Sequence, residues 1–193
     1  MLFTFKPQAD LVFRILLIGL VGLPVAGLVI GEVWKWASYE TDVGVVVSQP
    51  VPFSHKHHVG QLGMDCRYCH TSVETSASAG MPAMHTCMTC HSQIWTGAAV
   101  LKPVRDSIET GKPVEWNRVY RIPGYVYFNH SIHIHSGVKC TTCHGEIAQM
   151  PLTMKARTFY MRDCLSCHRQ PEKFNLHEAG VQKRLTDCST CHR

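Results

Sequence analysis

Cysteine and histidine recur in this chain at one fixed spacing, Cys-x-x-Cys-His, five times, and the five copies use all ten cysteines. The copies are Cys66, Cys69 and His70; Cys87, Cys90 and His91; Cys140, Cys143 and His144; Cys164, Cys167 and His168; and Cys188, Cys191 and His192. Residues three and four apart share one face of a helical turn. Two thiols so placed can form thioethers with the two vinyl groups of one haem. The histidine that follows then sits under the iron as its proximal ligand. The expected complement is five covalent haem c groups. Five disulfides, or paired CxxC around zinc, would account for the cysteines alone. Neither requires a histidine directly after each pair.

A closed haem iron needs a second axial ligand, and eight of the 13 histidines lie outside the motifs. Two stretches of sequence align. Phe53, His55, His58 and Val59 precede Gly63 and the first motif, and Phe128, His130, His133 and Ile134 precede Gly137 and the third. Both read F-x-H-x-x-H-[VI], a short spacer, Gly, two residues, then CxxCH. Histidines three apart stand one turn from each other and can face two neighbouring irons. His55 and His130 are assigned to the haem that follows each, the first and the third. His58 and His133 are assigned to the next haems, the second and the fourth. The fifth haem has two candidates. His177 precedes Cys188 by 11 residues, the interval from His55 to Cys66, and Met161 lies three residues before Cys164. Methionine ligation would raise the potential. His57, His85 and His135 are expected to be non-ligands.

These ligands must be positioned with little ordinary core. Beyond residue 50 about 29 residues remain per haem. The expected fold is therefore a multihaem cytochrome c: short helices and irregular loops around a haem core, with one N-terminal transmembrane helix. The formal charge of +5 is offset by the propionates, because each ferric haem with neutral axial ligands contributes about −1. Lys and Arg are expected to pair with propionates. No basic-aromatic patch points to nucleic acid, no Gly-rich loop to phosphate, and no cysteine is left over as a nucleophile.

Residues 15–31 are 17 uncharged positions, and with the apolar residues on either side the stretch reaches the roughly 20 needed to span a bilayer. Arg14 can snorkel to one headgroup layer, and Trp34 and Trp36 mark the other. Lys6 and Arg14 precede the span; Glu32, Glu40 and Asp42 follow it, with Lys35 among them. This bias places the N-terminus inside. A retained anchor is expected rather than a cleaved signal peptide. Gly27 and Gly31, with Gly19 and Gly22 upstream, suggest close packing on a partner helix. The organisation expected is a cytoplasmic terminus over 1–10, an anchor over 11–34, a linker over 35–52 and a two-haem module over 53–95. A haem-free connector over 96–127 and a three-haem module over 128–193 complete it. In the connector, prolines and glycines interrupt any long element. Residues 104–109 suggest a short helix and residues 126–128 read as extended. Trp116 and Tyr120 are expected to serve ordinary packing. Haem attachment places the haem domain outside the inner membrane, in the periplasm.

F-x-H-x-x-H followed by CxxCH resembles the triheme cytochromes c7 and the cytochromes c3, in which the first histidine ligates the following haem and the second a neighbour. By the same resemblance, the position of Met161 would ligate the last haem of a three-haem module. A wider resemblance is carried by PFSHKHHVGQLGMDCRYCH, MPAMHTCMTCHSQIW, PVEWNRVYRIPGYVYFNHSIH, CTTCHGEIAQM, CLSCHRQPE and CSTCHR. Together with the single anchor, these are similar to the pentahaem cytochrome subunit of alternative complex III. That resemblance implies a membrane-anchored electron carrier with no substrate chemistry of its own. Its partners would be a polytopic quinol-binding membrane subunit, an iron-sulfur subunit, and a monohaem cytochrome c subunit or soluble acceptor. Two other functions compete. A multihaem reductase needs one haem with an open distal position, which the fifth would be if neither His177 nor Met161 ligates it. A tetrahaem-type quinol dehydrogenase would bind quinol beside its own first haem; the repeat and the long connector argue against it.

Overall fold

The structure is a computed structural model that describes residues 7–174 and 181–192. It divides into two compact units, Met1–Asp42 and Val43–Arg193.

The first unit is built on helix α1, Gln8–Lys35, whose mean hydropathy is 2.4 over its most apolar window. It is long and apolar enough to cross a membrane, and its large side chains are uncovered: Leu20 is 75 % exposed, Leu23 74 % and Leu28 72 %. The helix widens into a π turn at Ile18–Gly22. Pro24 explains the widening, because its ring removes one N–H and crowds the carbonyl one turn back. The single turn α2, Ser38–Thr41, follows. The Trp34 indole N–H donates to Glu40 Oε1 over 3.0 Å.

The second unit is a series of short helices: α3 Cys66–Cys69, α4 Met84–His91, α5 Lys102–Thr110, α6 His130–His135, α7 Cys140–His144, α8 Met161–His168, α9 Val181–Leu185 and α10 Cys188–Cys191. Each haem motif falls on one of them. Helices this short are not stable alone, and caps hold several in place. Asp65 accepts from the Arg67 N–H at 2.8 Å and Asp187 from the Ser189 N–H at 2.9 Å. Both aspartates stand immediately before the first cysteine of a motif. Asn129 caps α6 by accepting from the Ser131 N–H at 2.9 Å. Among the described residues pairing is confined to isolated bridges, Val43 with Lys155, Val46 with Met154 and Val126 with His192.

Buried hydrophobic side chains are few: Val51, Val73, Leu101, Val104 and Met150 among the described residues. Val51, Leu101 and Val104 form one cluster, against which Met84, Cys87, Met88, Ala98, Val100 and Trp116 pack. The stretch free of haem motifs is therefore structural. Its helix α5 packs on α4, which carries the second motif. Arg105 fixes the approach by donating to Thr96 O at 2.9 Å and Ala98 O at 3.1 Å. Gly111 ends α5 at φ 70°, the left-handed conformation that favours glycine at a helix C-terminus.

Candidate haem sites

The two copies of F-x-H-x-x-H adopt the same local geometry. The Phe53 ring meets His55 edge-on at 4.9 Å and 85° and stacks on His58 at 4.3 Å and 26°. The Phe128 ring meets His130 edge-on at 4.8 Å and 88° and lies over His133 at 4.4 Å and 30°. One phenyl ring thus orients two imidazoles in each copy. The second histidine of each copy donates from Nδ1 to the carbonyl four residues back, His58 to Ser54 O at 2.9 Å and His133 to Asn129 O at 2.7 Å. His130 donates from Nδ1 to Ala77 O at 2.8 Å, and His55 Nδ1 lies 3.1 Å from the Thr153 hydroxyl. A carbonyl can only accept, so Nδ1 carries the proton and Nε2 keeps a free lone pair for a metal.

The histidines that close the motifs follow the same rule. Nδ1 donates to Gly80 O at 2.7 Å in His70, to Ile94 O at 3.3 Å in His91, to Leu185 O at 2.9 Å in His168 and to Tyr125 O at 3.4 Å in His192. Such outer partners orient a metal-bound imidazole and raise its basicity. His144 is held differently. Tyr120 sets its ring edge against it at 4.6 Å and 84°, while the Tyr120 hydroxyl accepts from the Ala156 N–H at 3.0 Å.

The structure brings these rings together in pairs. His58 and His91 lie 6.2 Å apart between ring centres, with planes at 63°. His130 and His144 lie 6.4 Å apart and almost parallel, at 8°. His133 and His168 lie 6.2 Å apart at 24°. Two imidazoles on opposite sides of one metal, each with a bond of roughly 2 Å, have ring centres about 6.3 Å apart. Burial, and then the charges of His70, His58 and His144, lower His55 to about 4. Burial also lowers His133 and His144. These rings are therefore neutral at pH 7, the form that ligates iron.

Beside His192 lies Tyr125, stacked at 6.0 Å and 27°. His177 lies outside the described residues. Met161 opens α8 and is 61 % exposed. His57 spends Nδ1 on Gln61 Oε1 at 2.8 Å.

These residues fit haem. All ten cysteines are free, and among the described residues no three His, Cys, Asp or Glu converge as they would around zinc. The ring pairs offer two axial nitrogens each. Five buried apolar side chains are too few to hold a unit of this length by themselves, which leaves flat apolar groups between the rings as the natural core.

Residues 126–193 match the family described as cytochrome c7 and related cytochrome c. Over those residues, which hold the third, fourth and fifth motifs, the chain resembles a multihaem cytochrome c. The chain is also 34 % identical over 119 residues to the menaquinone reductase multihaem cytochrome c subunit of Nitratidesulfovibrio vulgaris, a match that covers 61 % of this chain and 56 % of that protein. The chain thus spans little more than half the length of that relative. The match to that family implies covalently bound haem c over residues 126–193, and the apolar N-terminal helix is consistent with a membrane anchor.

Several residues that shape these sites carry little signal of that role in the sequence. The paired phenylalanines Phe53 and Phe128 were visible as repeat letters, and their invariant offset from both histidines was the available signal. The carbonyls of Gly80, Ala77 and Leu185 carry no side-chain signature at all. Tyr120, expected to serve ordinary packing, sets its ring edge against His144, and its only signal was an aromatic residue 20 positions before Cys140.

Proposed function

We propose that this chain is a membrane-anchored pentahaem cytochrome c that relays electrons between a quinone-reactive membrane subunit and a periplasmic partner. Five haem c groups are held by the five cysteine pairs, with His70, His91, His144, His168 and His192 proximal. The distal ligands are His55, His58, His130 and His133 for the first four haems in order, and His177 or Met161 for the fifth. The observation that carries this reading is the recurrent separation of 6.2–6.4 Å between paired imidazole centres.

Haem supplies one-electron chemistry when bound. The chain's own task is to keep each iron closed, so that a change of redox state needs little rearrangement. It does so by fixing Nδ1 of the imidazoles on carbonyls and leaving Nε2 toward the metal. Phe53 and Phe128 lock ring orientation. Among the described residues no serine, cysteine or carboxylate is set up for substrate chemistry, and we assign no catalysis to the chain alone.

The anchor places residues 1–10 in the cytoplasm and the haem domain in the periplasm, with a two-haem module at 53–95 and a three-haem module at 128–193. The partners are a polytopic quinol-binding subunit, an iron-sulfur subunit, and a monohaem cytochrome c or soluble acceptor, as in alternative complex III. Electrons run from quinol outward. The similarity to a menaquinone reductase subunit favours a second reading, in which the same array runs inward and reduces the quinone pool. Purification in mild detergent tests the proposal. Co-purification with a multi-span subunit, and haem reduction by quinol in that complex only, support it. Quinol oxidation by the isolated chain overturns it. Rapid haem reduction by quinol separates the outward from the inward reading.

A further inference from the structure

We infer that the five attachment motifs are threaded in space in the order second, first, third, fourth, fifth, so that the second and fifth motifs are the two ends of the array. This rests on the five-haem reading above and adds to it a path and two termini.

The second motif touches the first. Tyr68, inside the first motif, and Thr89, inside the second, share a hydroxyl hydrogen bond of 3.1 Å. Phe53 bridges His55 and His58, the partners of His70 and His91. Among the described residues, no hydrogen bond or ring contact of residues 87–91 reaches the third, fourth or fifth motif.

The first motif touches the third, across the joint between the two repeats. The His130 N–H donates to Ala77 O at 3.2 Å and the Ser131 N–H to Ser76 O at 3.2 Å, so the distal segment of the third motif rests on the loop after the first. In return, the segment after the third motif supports the distal segment of the first: the Lys56 N–H donates to Met150 O at 2.9 Å, and Thr153 meets His55.

The third motif touches the fourth. His130 and His133 stand on one turn of α6 and pair with His144 and His168. Arg157 donates to Thr142 O, inside the third motif, at 3.2 Å. The fourth touches the fifth: His168 donates to Leu185 O, just before the fifth motif, and Gln182 donates to Arg169 O at 2.8 Å. The fifth is closed on its other side by residues 125–127, with the Tyr127 N–H donating to Cys191 O at 2.8 Å.

The order differs from that of the sequence at one place. Each repeat supplies the distal ligands of two motifs, and the repeats join first to third rather than second to third. Electron exchange with a partner therefore happens at the second or fifth motif. Both ends carry an exposed aromatic residue beside the terminal histidine, Trp95 (70 % exposed, 6.5 Å from His91) and Tyr125 (63 % exposed, 6.0 Å from His192). In this order the first, third and fourth motifs lie between the two ends.

Iron positions in the haem-loaded complex, from electron cryomicroscopy or iron-edge anomalous diffraction, test the order. The His91 iron should have the His70 iron as its nearest neighbour, the His70 iron should lie between those of His91 and His144, and the His192 iron should be nearest that of His168. A His91 iron closest to that of His144, His168 or His192 overturns the order while leaving the five-haem reading intact. Fewer than five haems would sink that reading as well. Stopped-flow reduction adds a functional measure. Cys87→Ser with Cys90→Ser removes an end and should leave single-phase equilibration of the other four haems. Cys140→Ser with Cys143→Ser removes the middle and should split reduction into two phases at least tenfold apart. Two phases in the first variant, or one in the second, contradicts the order.

Discussion

Replacing Gly60 by alanine would drive a Cβ into the carbonyl oxygen of Ala148, with that carbonyl's carbon 3.4 Å away. The obstacle is backbone, so no side-chain rotation relieves it. Ordinary contact begins at roughly 3.2 Å, and the two segments must part by about 1 Å. They are the turn Lys56–Gln61, which carries His58, and the turn Ile147–Gln149. The Lys56 N–H bond to Met150 O, 2.9 Å, joins them, and the His55 contact with Thr153, 3.1 Å, crosses the same seam. Overpacking of this kind costs about 1–3 kcal/mol. At about 2 kcal/mol the melting temperature of a chain this long falls by roughly 4–8 °C. A metal–nitrogen bond tolerates about 0.2 Å, far less than the shift required. The variant should therefore keep its full haem content, which is covalent, yet show a new high-spin ferric signal from sites that have lost His55 or His58. The assay is electron paramagnetic resonance on oxidised protein, with thermal melting beside it. An unchanged melting temperature with an unchanged low-spin spectrum would refute the reasoning.

Phe128→Ala should loosen His130 and His133 together, giving high-spin signal from two sites, whereas Phe128→Tyr should leave the spectrum as it is. Tyr120→Phe removes the acceptor of the Ala156 N–H and should cost about 1 kcal/mol of stability with no change in the haem spectrum; Tyr120→Ala should also shift one reduction potential, because His144 loses its edge contact. Val104 is 1 % exposed at the centre of the haem-free cluster, so Val104→Ala should cost about 2 kcal/mol in a denaturation curve while leaving all haems attached. Parallel imidazole planes split the iron π orbitals and crossed planes do not. Oxidised protein should thus show a rhombic low-spin signal from the His130 and His144 pair at 8° and a more anisotropic one from His58 and His91 at 63°.

The five Cys-x-x-Cys-His motifs were legible in the sequence because their spacing fits one helical turn, and each falls on a short helix. The repeat around His55, His58, His130 and His133 was legible because its pattern of three is a local fact, and both copies adopt one geometry. The long apolar helix α1 was legible as an uninterrupted apolar run. Residues 104–109 fell inside the observed α5. The rest depends on contacts between distant residues. Val51 and Val104 meet in one cluster although 53 positions part them. Ala77 O receives His130, and a backbone carbonyl looks the same in every sequence. Gly60 carries no sequence signal of the close approach of two turns for which the structure needs it. The two repeats were legible singly, but the joint that seats the second on the loop after the first was not, because it is made by main-chain bonds at Ser76 and Ala77.

The central claim is that five closed haems sit on this chain. Intact-mass spectrometry of the denatured protein, paired with electron paramagnetic resonance of the oxidised native complex, measures it directly. The account predicts a mass increment of five haems that survives acid and organic solvent, and an entirely low-spin ferric spectrum. A smaller increment, or a stoichiometric high-spin site, would contradict it.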